Sequence, residues 1–275
     1  MRLQKQRTRG SAAVVTGAGS GIGRAFAREL ARRGGRVVCS DIDVESAKET
    51  VALVEEAGGQ AMAALCDVAS EDDVRGLAST AEHWLGQPPD LVVNNAGIGA
   101  GGRVVGEASL EEWHRTLDIN LWGVIHGCHV FVPAMRKAGR GGIINVASAA
   151  GFAAAPRMAA YNVSKAGVMS LSETLAAELA GTGVKVTVLC PTGVRTNILD
   201  NTDLIEPGAA KAANLLIKFG FSPERVARMT LDGHDRGRLY VVPQPDAQLI
   251  WATKRLLPTP YNRVSGLLGR IAPLD

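Results

Sequence analysis

Tyr161 and Lys165 lie four positions apart, and this spacing is the clearest chemical signal in the chain. Positions i and i+4 share one face of a helix, so the phenol and the ammonium would lie side by side. A neighbouring ammonium stabilises a phenolate and lowers the pKa of the phenol. Such a tyrosine can exchange a proton with an alcohol or a carbonyl near neutral pH. Taken alone, the pair also fits a surface tyrosine and a solvated lysine, so the other motifs must decide.

A glycine-rich turn follows the first predicted strand and precedes a helix, in the order Thr16-Gly-Ala-Gly-Ser-Gly-Ile-Gly23. Glycine permits a positive φ and a close approach of the backbone to a ligand. The helix N-terminus adds unpaired N–H groups and a partial positive charge, which suit a pyrophosphate. The spacing departs from the common G-x-G-x-x-G pattern, but the strand–turn–helix context favours dinucleotide binding. The alternative is a plain tight connection.

An acidic residue, Asp41, ends the second predicted strand. A carboxylate at this point accepts hydrogen bonds from the adenosine ribose and repels the 2′-phosphate of NADP. Neither Ser20 nor Ile42 offers that phosphate a basic partner, whereas Arg24 argues the other way. The pattern favours NAD over NADP. The alternative interpretation of Asp41 is a turn residue beside Asp43.

Short β-branched runs alternate with longer amphipathic segments, and this alternation must position the candidate residues. Strands are predicted at 12–16, 36–40, 61–66, 90–94, 142–146 and 184–189, and helices at 22–33, 44–57, 71–85, 110–138 and 160–179. Strands that alternate with helices predict a parallel sheet, and their continuous apolar character indicates burial on both faces. The expected fold is α/β, a single-domain Rossmann-like doubly wound parallel sheet.

The last third of the chain is less regular. Residues 196–221 form a mixed stretch, Ser222-Pro-Glu-Arg is a typical helix start, a strand is predicted at 239–242, and a helix at 249–257. We expect a flexible basic tail at 1–10 and one domain at 11–275. Within that domain, about 197–221 would form a substrate loop and about 243–275 an atypical C-terminal extension.

Composition limits the classes of protein that the chain can represent. Its 275 residues carry a net charge of +3, and Arg2, Lys5, Arg7 and Arg9 concentrate positive charge in the tail. The remainder is near neutral, which argues against nucleic-acid binding. No apolar run follows the tail, and the uncharged stretch 119–135 contains Asn, His and Pro, so neither a secretory signal nor a membrane span is expected. Four scattered cysteines predict no metal site and fit the reducing cytoplasm.

Several motifs in order resemble the single-domain branch of the short-chain dehydrogenase/reductase family, over about residues 11–197. They are the glycine turn, Asp67-Val68, Asn94-Asn-Ala-Gly97, Asn120, Ser148, Tyr161-Asn-Val-Ser-Lys165 and Pro191-Thr-Gly-Val-Arg-Thr196. The resemblance implies NAD(P)-dependent oxidation of alcohols or reduction of ketones. No single motif suffices, and their common order carries the resemblance.

The resemblance also implies residue roles. Tyr161 would be the general acid/base, and Lys165 would bind the nicotinamide ribose and lower the pKa of Tyr161. Ser148 would polarise the substrate oxygen, and Asn120 would hold a water that connects Lys165 to solvent. The predicted cofactor contacts are Gly17, Gly19, Ser20, Gly21, Ile22, Gly23, Asp41, Ile42, Asp67, Val68, Asn94, Ala96, Gly97, Tyr161, Lys165, Pro191, Gly193, Val194 and Thr196.

The chain departs from the family pattern at two places. Thr192 stands where a glycine is common, and the C-terminal third lacks the glycine-rich ending of tetrameric relatives. The resemblance implies a homodimer or a homotetramer. The atypical C-terminal third argues against tetramer geometry and favours a dimer through helices near 110–138 and 160–180.

The predicted substrate wall is apolar and lacks an arginine cluster. Its expected contacts are Ser148, Phe152, Thr192 and Ile198, with Ala153, Ala154, Met158, Leu199, Leu204 and Ile205 around them. This wall predicts a bulky, hydrophobic secondary alcohol or ketone, steroid-like or lipid-like. A non-catalytic dinucleotide sensor is the alternative from another class. An epimerase or dehydratase of the longer branch fits less well with the length and the glycine spacing.

Overall fold

The sheet is built from seven parallel strands in the order β3-β2-β1-β4-β5-β6-β7. The computed structural model describes residues 7–198 and 204–271. The strands are β1 Ala12–Thr16, β2 Arg36–Asp41, β3 Gln60–Leu65, β4 Leu91–Asn94, β5 Gly141–Val146, β6 Val184–Leu189 and β7 Tyr240–Val241. The strand order reverses between β1 and β4. The carboxyl ends of these two strands therefore form the switch point at which such sheets bind ligands.

Eleven helices are present in the described part of the chain. They are α1 Gly21–Arg32, α2 Val44–Glu56, α3 Glu71–Leu85, α4 Leu110–Leu117, α5 Gly123–Ala138, α6 Ala150–Ala153, α7 Ala159–Glu178, α8 Pro207–Lys218, α9 Pro223–Asp235, α10 Pro245–Leu256 and α11 Pro258–Ile271. The predicted doubly wound α/β fold is confirmed. Every predicted strand and most predicted helices lie within a few residues of their expected bounds.

Alternate residues of each central strand face two separate hydrophobic cores. In β1, Ala12 and Val14 belong to one core, and Ala13 and Val15 belong to the other. All four are almost fully buried. Burial on both faces explains why the strands read as continuous apolar runs rather than as alternating ones.

The helix predicted over 110–138 is interrupted by a π-helical turn at Asp118–Trp122. α4 ends before this turn and α5 begins after it. A π turn is a single turn with i→i+5 hydrogen bonds inside an α-helix, and the sequence prediction of one continuous helix did not include it. The inserted turn carries Asn120, which is fully buried.

The C-terminal third contains more helix than predicted. α8 lies within the stretch 196–221, and α11 follows α10 after Leu257. Pro258 occupies the first position of α11, where its missing N–H has no partner to lose.

The end of the predicted flexible tail is anchored, which corrects that expectation for residues 7–10. The Asp235 carboxylate accepts hydrogen bonds from the backbone N–H of Thr8 at 2.9 Å and from its hydroxyl at 2.8 Å. Arg7 donates to the carbonyl oxygen of Gly183 at 2.7 Å. Sequence gives no sign of these contacts because they join positions far apart in the chain. Residues 1–6 lie outside the described part.

Candidate functional site

The backbone of the glycine turn is packed so closely that side chains do not fit at its glycines. A Cβ added at Gly23 would lie 2.0 Å from the carbonyl oxygen of Gly17, and Gly17 itself has a φ of +62°. Helix α1 then begins with no side-chain cap at Ser20 and no acidic residue in its first turn. Its first N–H groups therefore have neither of the usual side-chain partners, as expected at a helix terminus that binds an anion.

Asn95 fixes the turn from the neighbouring strand end. Its side-chain amide donates to the carbonyl oxygens of Thr16 at 2.9 Å and Gly17 at 3.1 Å. The Thr16 hydroxyl accepts from the backbone N–H of Asn95 at 3.0 Å and Ala96 at 3.1 Å. Asn95 was absent from the predicted site residues, although the Asn94-Asn-Ala-Gly97 motif contains it.

Asp41 lies beside the glycine turn at the carboxyl end of β2. Its carboxylate accepts from the backbone N–H of Gly19 at 2.8 Å and from that of Asp43 at 3.1 Å. Arg24 joins the turn to α2: its guanidinium donates to the carbonyl oxygen of Gly19, forms an ion pair with Glu49 at 2.9 Å and donates to the Thr50 hydroxyl at 3.0 Å. The cation that argued for NADP is therefore bound by other residues.

The remaining predicted adenosine contacts divide into two groups. Ile42 is exposed at the end of β2, and Asp67 follows β3 and accepts from the backbone N–H of Ala69 at 2.9 Å. Asn94 requires a correction, because its buried side-chain amide donates to Asn145 at 2.8 Å. This side chain joins β4 to β5 in the core and does not line the cleft.

Helix α7 carries the tyrosine–lysine pair. The Lys165 ammonium lies 5.7 Å from the centre of the Tyr161 ring and donates to the carbonyl oxygen of Val146 at 3.1 Å. Burial lowers the pKa of Lys165 to about 8, while the neighbouring Cys190 acts in the opposite direction. One hydrogen bond leaves two of the three ammonium donors for other acceptors such as a ribose hydroxyl.

The pKa of Tyr161 differs from the expectation. Burial of the phenol raises its pKa, and a hydrogen bond with the Ser148 side chain lowers it by less. The expected lowering by Lys165 is therefore not found in this structure, because loss of hydration disfavours the phenolate more than its surroundings stabilise it. The geometry of the pair is as expected, and Ser148 is the group that favours ionisation.

Asn120 connects the π turn to the loop after β4. Its side chain accepts from the backbone N–H of Ile98 at 2.8 Å and donates to the Ile98 carbonyl oxygen at 2.9 Å. A Cβ at Gly97 would lie 2.8 Å from the Asn120 side-chain oxygen and 3.4 Å from the Lys165 nitrogen. Asn120 and Lys165 thus face the same glycine.

The 191–196 turn closes the cleft from the side of β6. The Gln244 side chain accepts from the backbone N–H of Thr192 at 3.3 Å and donates to the Gly193 carbonyl oxygen at 3.0 Å. A Cβ at Gly21 would lie 3.0 Å from the methyl group of Thr196, so this turn meets the glycine turn. Sequence reasoning missed Gln244, because no motif surrounds it.

The substrate wall follows Ser148 and contains strained backbone. Ala154 and Arg157 have positive φ values of 51° and 62°, a conformation that side chains other than glycine adopt rarely and that clusters at ligand sites. Phe152 requires a correction: it is buried against Trp251 with ring centroids 5.9 Å apart, so it supports the wall from behind. Ile198 is exposed, and the expected contact Leu199 lies outside the described residues.

The short chain dehydrogenase family model matches residues 11–205. The chain is 33% identical to a short chain dehydrogenase/reductase from Burkholderia phymatum, whose crystal structure is a complex with NAD. That comparison gives a TM-score of 0.85 and covers 91% of this chain and 94% of the other.

Two curated relatives differ in length. The chain is 38% identical over 223 residues to 3beta-hydroxysteroid dehydrogenase 1 of Eggerthella lenta, covering 80% of this chain and 84% of the relative. It is 35% identical over 274 residues to the probable oxidoreductase EphD of Mycobacterium tuberculosis, covering 94% of this chain. It spans only 46% of EphD, about half the length of that relative.

Proposed function

Because the chain belongs to the short chain dehydrogenase/reductase family, whose members bind NAD(P), we propose that it is an NAD-dependent alcohol dehydrogenase or ketone reductase. The observation that supports this most directly is the convergence of Ser148, Tyr161 and Lys165. Ser148 hydrogen-bonds the phenol, and the ammonium lies 5.7 Å from the ring. A non-catalytic sensor would not need this arrangement, and no observation favours that alternative.

The residues present fit a nicotinamide dinucleotide. The uncapped N-terminus of α1 would hold the pyrophosphate, Asp41 the adenosine ribose, Lys165 the nicotinamide ribose, and the 191–196 turn the carboxamide. Asp41 repels a 2′-phosphate, and Glu49 holds the nearby Arg24, so NAD is favoured over NADP. When bound, the nicotinamide ring accepts or returns a hydride.

The side chains manage the proton that accompanies this hydride. During alcohol oxidation the Tyr161 phenolate accepts the alcohol proton while the Ser148 hydroxyl donates a hydrogen bond to the developing oxyanion. Lys165 orients the cofactor and stabilises the phenolate, and Asn120 holds the path by which the proton leaves. In the reductive direction the Tyr161 phenol returns its proton to the carbonyl oxygen.

A hydrophobic secondary alcohol or ketone is the substrate class that we propose. Five of the apolar residues predicted for the substrate wall are among those that the structure describes, namely Ala153, Ala154, Met158, Leu204 and Ile205. The 3beta-hydroxysteroid dehydrogenase of Eggerthella lenta, to which the chain is similar, is named for a hydrophobic alcohol substrate. Steroid-like and lipid-like alcohols are therefore the first compounds to test.

We propose a homodimer or homotetramer located in the cytoplasm. The π turn and α7 expose Trp122 and Val163 next to the site, which suits contact with a second copy. All four cysteines are free and buried, which fits a reducing compartment.

The central test compares two tyrosine variants. Tyr161→Phe removes the proposed acid/base, so kcat/KM for oxidation of a 3β-hydroxysteroid or cyclohexanol should fall by about 10²–10⁴-fold while NADH binding persists. Tyr240→Phe is the matched control, since its buried hydroxyl has no hydrogen-bond partner. It should leave activity unchanged. Unaltered activity of Tyr161→Phe would disprove the proposal.

Cofactor selectivity has a separate test. Fluorescence titration should show tighter binding of NADH than of NADPH, and Asp41→Ala should narrow the difference. Asp43→Ala is the control, because Asp43 caps α2 through the backbone N–H groups of Glu45 and Ser46. Its loss should lower stability by about 1 kcal/mol without a change in selectivity. Tighter binding of NADPH by the unmodified protein would contradict the role of Asp41.

A further inference from the structure

The last two helices lie against the predicted substrate wall. We call residues 245–271, which contain α10 and α11, the C-terminal helix pair. Trp251 of α10 stacks on Phe152, and the Tyr261 hydroxyl of α11 donates to the carbonyl oxygen of Ala153 at 3.0 Å. A Cβ at Gly269 would lie 3.1 Å from the Pro156 ring. The helix pair is thus fixed to the chain segment that follows Ser148.

The outer side of the helix pair is apolar. Five large aliphatic side chains are between 55% and 79% exposed, namely Leu249, Leu256, Leu257, Val264 and Leu267. Leu249 and Leu256 are seven positions apart on α10, and Val264 and Leu267 are three positions apart on α11, so each pair follows one face of its helix. Leu257 lies between the two helices. Single exposed apolar residues are normal, but an ordered stripe of them indicates a surface that contacts something other than water.

The same segment carries a net positive charge. Residues 245–271 contain Lys254, Arg255, Arg263 and Arg270 and a single acidic residue, Asp246. The Arg255 guanidinium lies over the Trp251 ring, 4.7 Å from its centre, and the Lys254 ammonium lies 5.8 Å from the centre of the Tyr261 ring. Aromatic rings and cations are therefore combined on these helices. Elsewhere acids offset the basic residues, since the whole chain reaches only +3.

We propose that the C-terminal helix pair binds the surface of an anionic bilayer. Apolar side chains would enter the boundary between headgroups and acyl chains, and the lysine and arginines would contact lipid phosphates, as amphipathic helices do at such surfaces. The contact is interfacial: no helix within 7–198 or 204–271 is long and apolar enough to cross the bilayer. A second copy of the chain, the competing occupant, would have to bring cationic segments together, which disfavours it.

The position of the helix pair gives this contact a consequence for the reaction. Its anchors, Phe152, Ala153 and Pro156, lie in the chain segment that follows Ser148 and carries part of the substrate wall, so a bound bilayer would lie near the cleft. A lipid-like alcohol could then pass between bilayer and site without crossing bulk water. This consequence rests on the proposed function, whereas the membrane contact itself does not.

Vesicle sedimentation of the full chain, without cofactor or substrate, tests the proposal. The protein should bind vesicles of phosphatidylglycerol and phosphatidylcholine, bind pure phosphatidylcholine more weakly, and detach as salt is raised. Exchange of both exposed residues, Val264→Asp and Leu267→Asp, should weaken binding by about tenfold or more. Arg263→Gln should weaken it by about fivefold, the effect of one basic residue at an anionic surface.

Leu65→Asp is the matched control. Leu65 is similarly exposed but lies on β3, at the opposite edge of the sheet from β7. Circular dichroism should show that all variants are folded. No binding to the anionic vesicles, or equal loss in the control, would overturn the proposal. A third outcome would also overturn the proposal: the unmodified chain does not bind vesicles, and the protein with Val264→Asp and Leu267→Asp has a lower molar mass. That result would assign these apolar side chains to contact with a second copy of the chain. Oxidation of water-soluble cyclohexanol, measured separately, distinguishes failure of the proposed function.

Discussion

At the scale of single residues, burial shifts the pKa values of both members of the tyrosine–lysine pair toward their neutral forms. The pKa of Tyr161 is raised and that of Lys165 is lowered to about 8, in each case chiefly by loss of hydration. Their spacing on α7 was predictable from sequence, since it needs only helical periodicity. The balance between burial and Coulomb attraction was not predictable, because it depends on the residues that cover the pair. Ser148 is the side chain that counteracts burial of the phenol.

Ser148→Ala should therefore change the pH dependence of the enzyme. Alcohol oxidation requires the phenolate, so kcat/KM rises as pH rises through the pKa of Tyr161. The Ser148 hydrogen bond lowers that pKa, and its removal should move the rising limb to higher pH. Activity on the plateau should also fall by about 10²–10³-fold, because the oxyanion loses a donor. A pH profile of kcat/KM for cyclohexanol oxidation measures both effects.

Ser164→Ala is the control for this profile. The Ser164 hydroxyl donates to the backbone carbonyl oxygen of Tyr161 at 2.8 Å and does not act on the phenol. Its removal should leave the rising limb at the same pH. A Ser148→Ala profile with lower activity but an unmoved limb would show that Ser148 binds substrate without adjusting the acid/base.

At the scale of elements, the sequence predicted the strands and helices that follow a regular residue pattern, and it did not predict the π turn that interrupts a helix. The strands follow from β-branched runs, and the glycine turn follows from its spacing. The π turn at Asp118–Trp122 was not predicted, because the sequence prediction continues one helix through it, although it is the element that places Asn120 against Ile98. Gln244 was not predicted as a site residue, because its contacts with Thr192 and Gly193 join positions about fifty residues apart in the chain.

The glycine turn gives an element-scale prediction. Gly23→Ala would place a methyl group 2.0 Å from the carbonyl oxygen of Gly17, so the turn must move away from α1. The N–H groups that would hold a pyrophosphate move together with the turn. NADH affinity should therefore fall by about 10²-fold or more, because a misplacement of about 1 Å costs this much. Fluorescence titration with NADH measures the loss.

Gly76→Ala is the matched control for Gly23→Ala. Gly76 lies within α3, and a Cβ there meets nothing within 4 Å. Alanine at this position should raise the free energy of unfolding by about 0.5–1 kcal/mol, because it restricts the unfolded chain and favours the helix. NADH affinity should stay unchanged. Equal NADH affinity of the Gly23→Ala and Gly76→Ala proteins would contradict the assignment of the turn to the cofactor.

At the scale of the whole molecule, we propose different partners for two exposed apolar regions. Trp122 and Val163 are about half exposed and lie two residues from Asn120 and Tyr161. These apolar neighbours of the site carry no excess of positive charge and suit a second copy of the chain, in contrast to the cationic C-terminal helix pair. Such a contact would stabilise the helices that hold the catalytic side chains.

A protein with both Trp122→Glu and Val163→Glu should therefore dissociate. Charged residues that face each other across a symmetric interface repel, and each would also be buried, so the molar mass in solution should fall by about half. Light scattering after size-exclusion chromatography measures this mass.

The Val264→Asp and Leu267→Asp protein should keep the original mass, because its changes lie on the proposed membrane surface. Activity should fall together with the mass, since Asn120 and Tyr161 flank the contact. An unchanged mass in the first variant would show that the π turn and α7 do not form the interface, and dissociation of the second would transfer that role to α11.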